Sequence, residues 1–206
     1  MKKKVYFSMM AAALLFSTQN AVAQNDSEAN TLFGGNSSFN SEDLGFFLGA
    51  NYGITQMDGF NTSLLHLRSG LSLKDKFTIG AYFSTAINEI RPQSELIPNL
   101  YMDYWTVGGF VEYTLFSDKI FHLTTPVYFG YGEVEMDLEN GPALLGEAKF
   151  LQIEPVALLE VNLHKFVRFN IGAGYRFVSQ MDYRNFNQSD ISGLTAYVGL
   201  KFGLFR

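Results

Sequence analysis

The chain has 206 residues, with 20 acidic and 15 basic side chains, a formal net charge of −5 and no cysteine. That balance provides no basic face for a phosphate backbone, so nucleic acid is not a partner. The missing cysteine removes disulfides, thiolate metal sites, thiol nucleophiles and lipidated anchors.

Aromatic residues make up 16%, with 20 Phe and 11 Tyr beside 19 Gly, and charged residues only 17%. No apolar run beyond the N-terminus is long enough to span a bilayer as a helix. A membrane β-barrel stays open, because its strands need only about ten alternating residues each.

The N-terminus opens with Lys2, Lys3 and Lys4, continues with an apolar stretch from Val5 to Phe16, and reaches Ala21-Val22-Ala23, a small-x-small cleavage pattern. Residues 1–23 are expected to be a cleaved signal peptide. Its removal would leave 206 − 23 = 183 residues and, with three lysines lost, a formal charge of −8. Residues 24–41, rich in Asn, Ser and Gly, are expected to form a flexible lead-in on the periplasmic side, and 42–206 the single folded domain.

Eight strand candidates follow, at 44–55, 60–73, 77–88, 104–116, 119–132, 150–162, 166–178 and 192–205. The connections after the second, fourth and sixth are tight: Leu73-Lys74-Asp75-Lys76, Ser117-Asp118-Lys119 and Leu163-His164-Lys165. Those after the third, fifth and seventh are long, at 89–103, 133–149 and 179–191. Short turns on one rim and long loops on the other, with an even strand count, predict an all-β fold. It is an eight-stranded antiparallel up-and-down transmembrane β-barrel. The loop after the first strand is the exception, being short on the long-loop rim.

Alternation gives the sheet its two faces. Odd positions over 105–115, 121–131, 151–161 and 167–177, and even positions over 194–204, make 5 × 6 = 30 sites without a charge. The interleaved face carries Glu112, Glu154, Glu160, Arg168, Arg176 and Lys201, with abundant glycine. Volume decides which face points inward, since eight strands enclose a bore just wide enough for side chains. Phe, Tyr, Trp, Leu and Ile crowd the uncharged face, whereas Gly80, Gly108, Gly130, Gly132, Gly172, Gly174 and Gly199 suit a crowded interior. The uncharged face is therefore expected to meet lipid. Trp105, Tyr131, Tyr175 and Phe177 on the long-loop side, with Phe77, Tyr113 and Phe121 on the other, form the expected interfacial aromatic girdle.

The fifth strand shows where hydrocarbon ends. Beyond Tyr131 the outward parity becomes Glu133, Glu135, Asp137 and Glu139, while Val134, Met136 and Leu138 take the other face. The ribbon is expected to project as a hairpin turning at Asn140-Gly141. A Ca²⁺ site would need those carboxylates to converge, but alternation along one strand spaces them about 6.5–7 Å apart. They are read as a solvated face, with no metal and no cofactor.

In this architecture, and in the alternating segment from Leu194 to Phe205, the chain resembles the small eight-stranded outer-membrane β-barrel proteins of Gram-negative bacteria. The resemblance covers residues 44–206. It implies an outer-membrane location, a surround of outer-membrane lipid and insertion by the barrel-assembly machinery. Members usually end on an aromatic residue; here Phe205 stands one position before Arg206.

The inward charges can be paired by register. A turn centred on His164 makes facing residues of the sixth and seventh strands sum to 328, so Glu160 faces Arg168, Gln152 faces Arg176, and Glu154 lies diagonal to Arg176. Glu112 and Lys201 are expected to join that ladder, because charges removed from water must be paired. Pro126 and Pro155 sit inside adjacent strands and predict a bulge or local opening there.

Enzyme signatures are thin: the sequence has no Gly-x-Ser-x-Gly and no His-Glu-x-x-His. His66 with Ser63 or Ser84 is the nearest candidate for a lipid-acting enzyme, without an acid to orient the ring. The expectation is a monomeric, non-catalytic barrel with a filled polar interior and mobile outer loops. Its role would be structural or surface-binding, any extracellular ligand engaging the loops at 89–103, 133–149 and 179–191. The alternatives are a narrow porin-like channel and, behind it, the lipid-acting enzyme.

Overall fold

The computed structural model of the chain describes residues 44–94, 100–138, 146–183 and 185–205. The expected signal peptide, lead-in and Asn140-Gly141 turn lie outside the described residues.

The strands are β1 (Leu44–Met57), β2 (Phe60–Leu73), β3 (Phe77–Ala86), β4 (Leu100–Leu115), β5 (Phe121–Leu138), β6 (Glu147–His164) and β7 (Val167–Val178). After them come the short β8 (Asp182–Tyr183) and β9 (Phe186–Asn187), one helical turn α1 (Gln188–Ile191), and β10 (Gly193–Leu204). Strands β1 to β7 and β10 form a closed, all-antiparallel barrel in which each pairs with its chain neighbour. Closure runs from Phe46↔Leu204 to Thr55↔Thr195 between β1 and β10. Among the described residues, no helix is long and apolar enough to cross a membrane.

Local chemistry sets the turns. β1 and β2 join through Asp58 (φ 47°) and Gly59 (φ 72°), the positive-φ pair that a two-residue type I′ hairpin needs. Lys74 and Asp75, both at φ 51°, make the equivalent turn on the opposite rim. There the Lys76 N–H donates to the Leu73 carbonyl at 3.0 Å.

The outward face is the uncharged one. None of its thirty sites is buried, and among its large apolar side chains Leu194 (70% exposed), Leu151 (65%) and Phe121 (60%) stand furthest open. A closed belt of that kind is at rest only in an apolar solvent, and a closed barrel is one of two folds that satisfy every backbone group there.

The interior carries buried polar and charged side chains and, beside them, aromatic rings. Phe47, Tyr82, Tyr104, Phe110, Tyr128, Phe150 and Tyr197 all point inward and are buried. They fit because glycine faces them: a Cβ on Gly80 would stand 2.6 Å from the Phe110 ring, and one on Gly132 would collide with the Phe150 ring.

Above the membrane the ribbon reverses its polarity. The upper parts of β4, β5 and β6 turn Leu100, Met102, Tyr104, Val134, Met136 and Phe150 into one buried cluster. Of the described residues in the long connections, Ile90, Met181 and Ile191 seat apolar side chains in that cluster.

Between β5 and β6 the register holds at a constant sum of 282 on both sides of Pro126 and Pro155, so no bulge forms there. The ladder does skip from Thr124↔Leu158 to Val127↔Pro155, a local loss of pairing where proline has no N–H to give. The one register shift involving β6 lies lower, between Asn162 and His164 on its β7 side.

Candidate functional site

The bore holds the chain's buried charges in layers, each built from several strands. The lowest is at the short-turn rim. Arg168 of β7 donates from Nη2 to Asp75 Oδ2 at 2.7 Å, and its guanidinium lies 3.7 Å from the centroid of the Phe205 ring. The expected Glu160–Arg168 pair does not form. Observed facing residues of β6 and β7 sum to 330 (160 + 170), which puts Asn170 opposite Glu160 and Asn162 opposite Arg168. The chain reverses at Lys165-Phe166 rather than about His164, so His164 pairs with Val167 (164 + 167 = 331), and the irregularity between Asn162 and His164 then brings the sum to 330. Gln152 correspondingly faces Val178 rather than Arg176.

The next layer is a closed ring of charge. Arg68 Nη1 lies 2.8 Å from Glu112 Oε2, and its Nη2 3.3 Å from Glu160 Oε1. Lys201 Nζ lies 2.8 Å from Glu112 Oε1 and 2.7 Å from Glu160 Oε1. His122 Nε2 closes on Glu160 Oε2 at 3.1 Å, and Arg68 also donates to the Tyr128 hydroxyl at 3.1 Å. Two cations meet two carboxylates, so the ring cancels its own charge. Every member is buried.

Arg68 was absent from the sequence reading, which took its inward charges from the last five strands. The signal was available in β2, where Leu65, Leu67 and Leu71 take the lipid parity and Leu64, His66, Arg68 and Ser72 the other. Asp75 was missed because it belongs to a turn, which its positive φ folds beneath Arg168.

Higher in the bore, Glu154 accepts from the Tyr197 hydroxyl at 2.8 Å and from Gln152 Nε2 at 3.2 Å, while the Tyr104 hydroxyl donates to Gln152 Oε1 at 2.9 Å. Arg176 donates from Nε to the Ile191 carbonyl at 2.9 Å and from Nη2 to Thr55 Oγ1 at 3.2 Å. Its guanidinium sits 5.3 Å from the Tyr104 ring centroid. The apolar cluster lies directly above.

The girdle residues all face outward. Trp105 and Tyr131 stand with ring centroids 5.8 Å apart, Tyr175 and Phe177 at 4.6 Å, and Tyr113 and Phe121 are half exposed or more.

Of the candidate catalytic group, His66 and Ser84 are brought opposite one another across β2 and β3, both buried, but no hydrogen bond joins them. Ser63 and His66 lie on opposite faces of β2, and the Ser63 hydroxyl bonds to Tyr52 at 2.7 Å. His66 is enclosed by the rings of Tyr82, Tyr128 and Tyr197. Neither of its nitrogens, nor Ser84 Oγ, has a hydrogen-bond partner among the described residues.

The outer acidic face converges more than expected. Cross-strand pairing sets Glu135 opposite Glu147 and Glu133 opposite Lys149. One oxygen each from Glu133, Glu135 and Glu147 lies within 4.8 Å of the others, and Lys149 Nζ is 2.8 Å from Glu147. Spacing along one strand omitted the neighbour across the ladder. Partial burial, then the Glu147 charge, hold the Glu133 carboxyl above its ordinary value.

No protein-family model and no curated protein matches the chain. Solved structures do. Neisserial surface protein A, from Neisseria, is 8% identical with a TM-score of 0.57, covering 80% of this chain and 97% of its own. The N-terminal β-barrel domain of Pseudomonas aeruginosa OprF is 10% identical (TM-score 0.49; 77% and 96% covered). The outer membrane protein OprG of the same bacterium is 9% identical (TM-score 0.49; 80% and 97%). Identities this low speak for fold alone, and the first comparison carries the statement. Together with the closed antiparallel sheet, it shows that the chain has the fold of the small eight-stranded outer-membrane β-barrel proteins.

Proposed function

We propose that the protein is a monomeric, non-conducting barrel of the Gram-negative outer membrane, inserted by the barrel-assembly machinery, with a structural or surface-binding role. The observation that carries this reading is the filling of the bore. A solute crossing it would have to part the Arg68–Glu112–Lys201–Glu160 ring and then the apolar cluster around Met102 and Met136. Parting the ring separates charges away from bulk water, and parting the cluster opens a cavity; both are costly. What remains accessible is the exterior: lipid around the belt, and the projecting β4–β5–β6 ribbon with the connections folded over the mouth. Any extracellular ligand would meet the acidic outer face of that ribbon, at Asp103, Glu133, Glu135, Asp137 and Glu147.

Planar-bilayer recording of the purified protein tests the proposal. Silence under applied voltage is expected. Discrete conductance steps that change size in Arg68→Gln or Lys201→Gln would assign it the channel role instead.

A further inference from the structure

At the short-turn rim, below the lowest charge layer, a cavity of about 410 Å³ opens between the turns. Asp75, Ser117, Asn162, Leu163, His164, Lys165, Arg168 and Phe205 line it. Among the described residues of this rim, Lys74, Lys76, Lys119, Lys165 and Arg168 stand against Asp75 and Asp118, a net +3 (5 − 2), with Asp75, Lys165 and Arg168 lining the cavity itself. Both acids are already engaged, Asp75 by Arg168 at 2.7 Å and Asp118 by Lys119 at 3.0 Å.

Arg168 is the buried member of the lining, 5% exposed. One of its nitrogens holds Asp75 and its face covers Phe205, but its Nε has no hydrogen-bond partner among the described residues. A buried guanidinium donor without an acceptor is uncommon and calls for one. His164 adds a second donor. Its Nδ1 accepts the Phe166 N–H at 3.4 Å, which leaves Nε2 as the ring's donor.

Beside the cavity the surface is apolar. Phe116, Ile120 and Leu163 are each more than 60% exposed, and Phe166 is 44% exposed with Lys165 Nζ 4.9 Å from its ring centroid. Cationic, hydrogen-bond-donating walls next to an exposed apolar shelf match a molecule with an anionic head and acyl tails.

We propose that this cavity binds the phosphate of an anionic glycerophospholipid from the leaflet at the short-turn rim. Arg168, Lys165 and His164 hold the phosphate oxygens, and the tails lie against Leu163 and Phe166. The site rests on the membrane placement proposed above but not on the closed bore, so a conducting barrel would leave it standing.

The test uses the full mature chain in phosphatidylcholine nanodiscs, with spin-labelled phosphatidylglycerol or phosphatidylcholine as probes and electron paramagnetic resonance to read the motionally restricted fraction. The expected result is selective restriction of phosphatidylglycerol, with its affinity falling about tenfold, an easily resolved change, in Lys165→Glu and in Arg168→Gln. Lys149→Glu, at the opposite rim, should keep the preference. If Arg168→Gln fails to assemble, Lys165→Glu on its exposed turn decides. Equal restriction of both lipids, or unchanged selectivity in Lys165→Glu, would overturn the proposal. Release of the lipid by millimolar inorganic phosphate would make this a free-anion site and overturn it equally.

Discussion

Arg68 and Lys201 stand against Glu112 and Glu160 in a ring where each ion has two opposite partners within 3.3 Å. Removing one member leaves an uncompensated buried charge, which costs about 3–5 kcal/mol in comparable settings. Glu160→Gln should lower the unfolding stability of the vesicle-inserted barrel by about that amount, read by urea titration. Removing one ion of each sign, as in Glu112→Gln with Lys201→Met, should cost less than the two single changes added together. Additive losses would mean that the four groups do not act as a unit. Outside the membrane, Glu133 gives a pH dependence of known sign. Burial and Glu147 raise its value in the folded state, so the fold binds its proton more readily than the unfolded chain does. The projecting ribbon therefore loses stability as pH rises through the region just above the ordinary glutamate range. Hydrogen exchange of the ribbon amides should show more protection at the acid end of that window, and Glu133→Gln should flatten the difference.

At the scale of the element, one alternating pattern carries two opposite instructions. Along β5 the odd parity is apolar through Tyr131 and acidic from Glu133, while Val134 and Met136 on the even parity become core. No register slip is needed; the solvent outside the strand changes, and the buried face changes with it. Met136→Ala should then behave as a core truncation in a soluble domain, costing about 2–5 kcal/mol. It should also admit external protease to the ribbon while the membrane-embedded strands stay protected. Protease resistance equal to the parent would mean that the cluster does not hold the ribbon down. Strand positions and faces were legible because lipid and bore impose period two over long runs. Register was not: the β6–β7 pairing missed by two residues, since the chain reverses at Lys165-Phe166 rather than at His164, and alternation does not mark where a turn is centred. Contacts across the bore were equally hidden. Arg68 and Glu160 are 92 residues apart and meet only after the sheet closes.

For the molecule as a whole, the belt and the fillings depend on each other. Thirty uncharged outward sites require hydrocarbon outside, and a bore this narrow then fills with whatever the belt excludes. Charge is cancelled in the lower bore, aromatic rings pack over glycine in the middle, and an apolar cluster closes the mouth where water begins. The central claim is that the boundary between the two solvents passes at Trp105 and Tyr131. Trp105 is the only tryptophan in the chain, so its fluorescence reports on that boundary alone. Depth-dependent quenching by brominated phospholipids measures it directly. The account predicts strong quenching by bromine near the carbonyl end of the acyl chains and weak quenching by bromine near the bilayer centre. Quenching that peaks at the bilayer centre, or none at any depth, would contradict it.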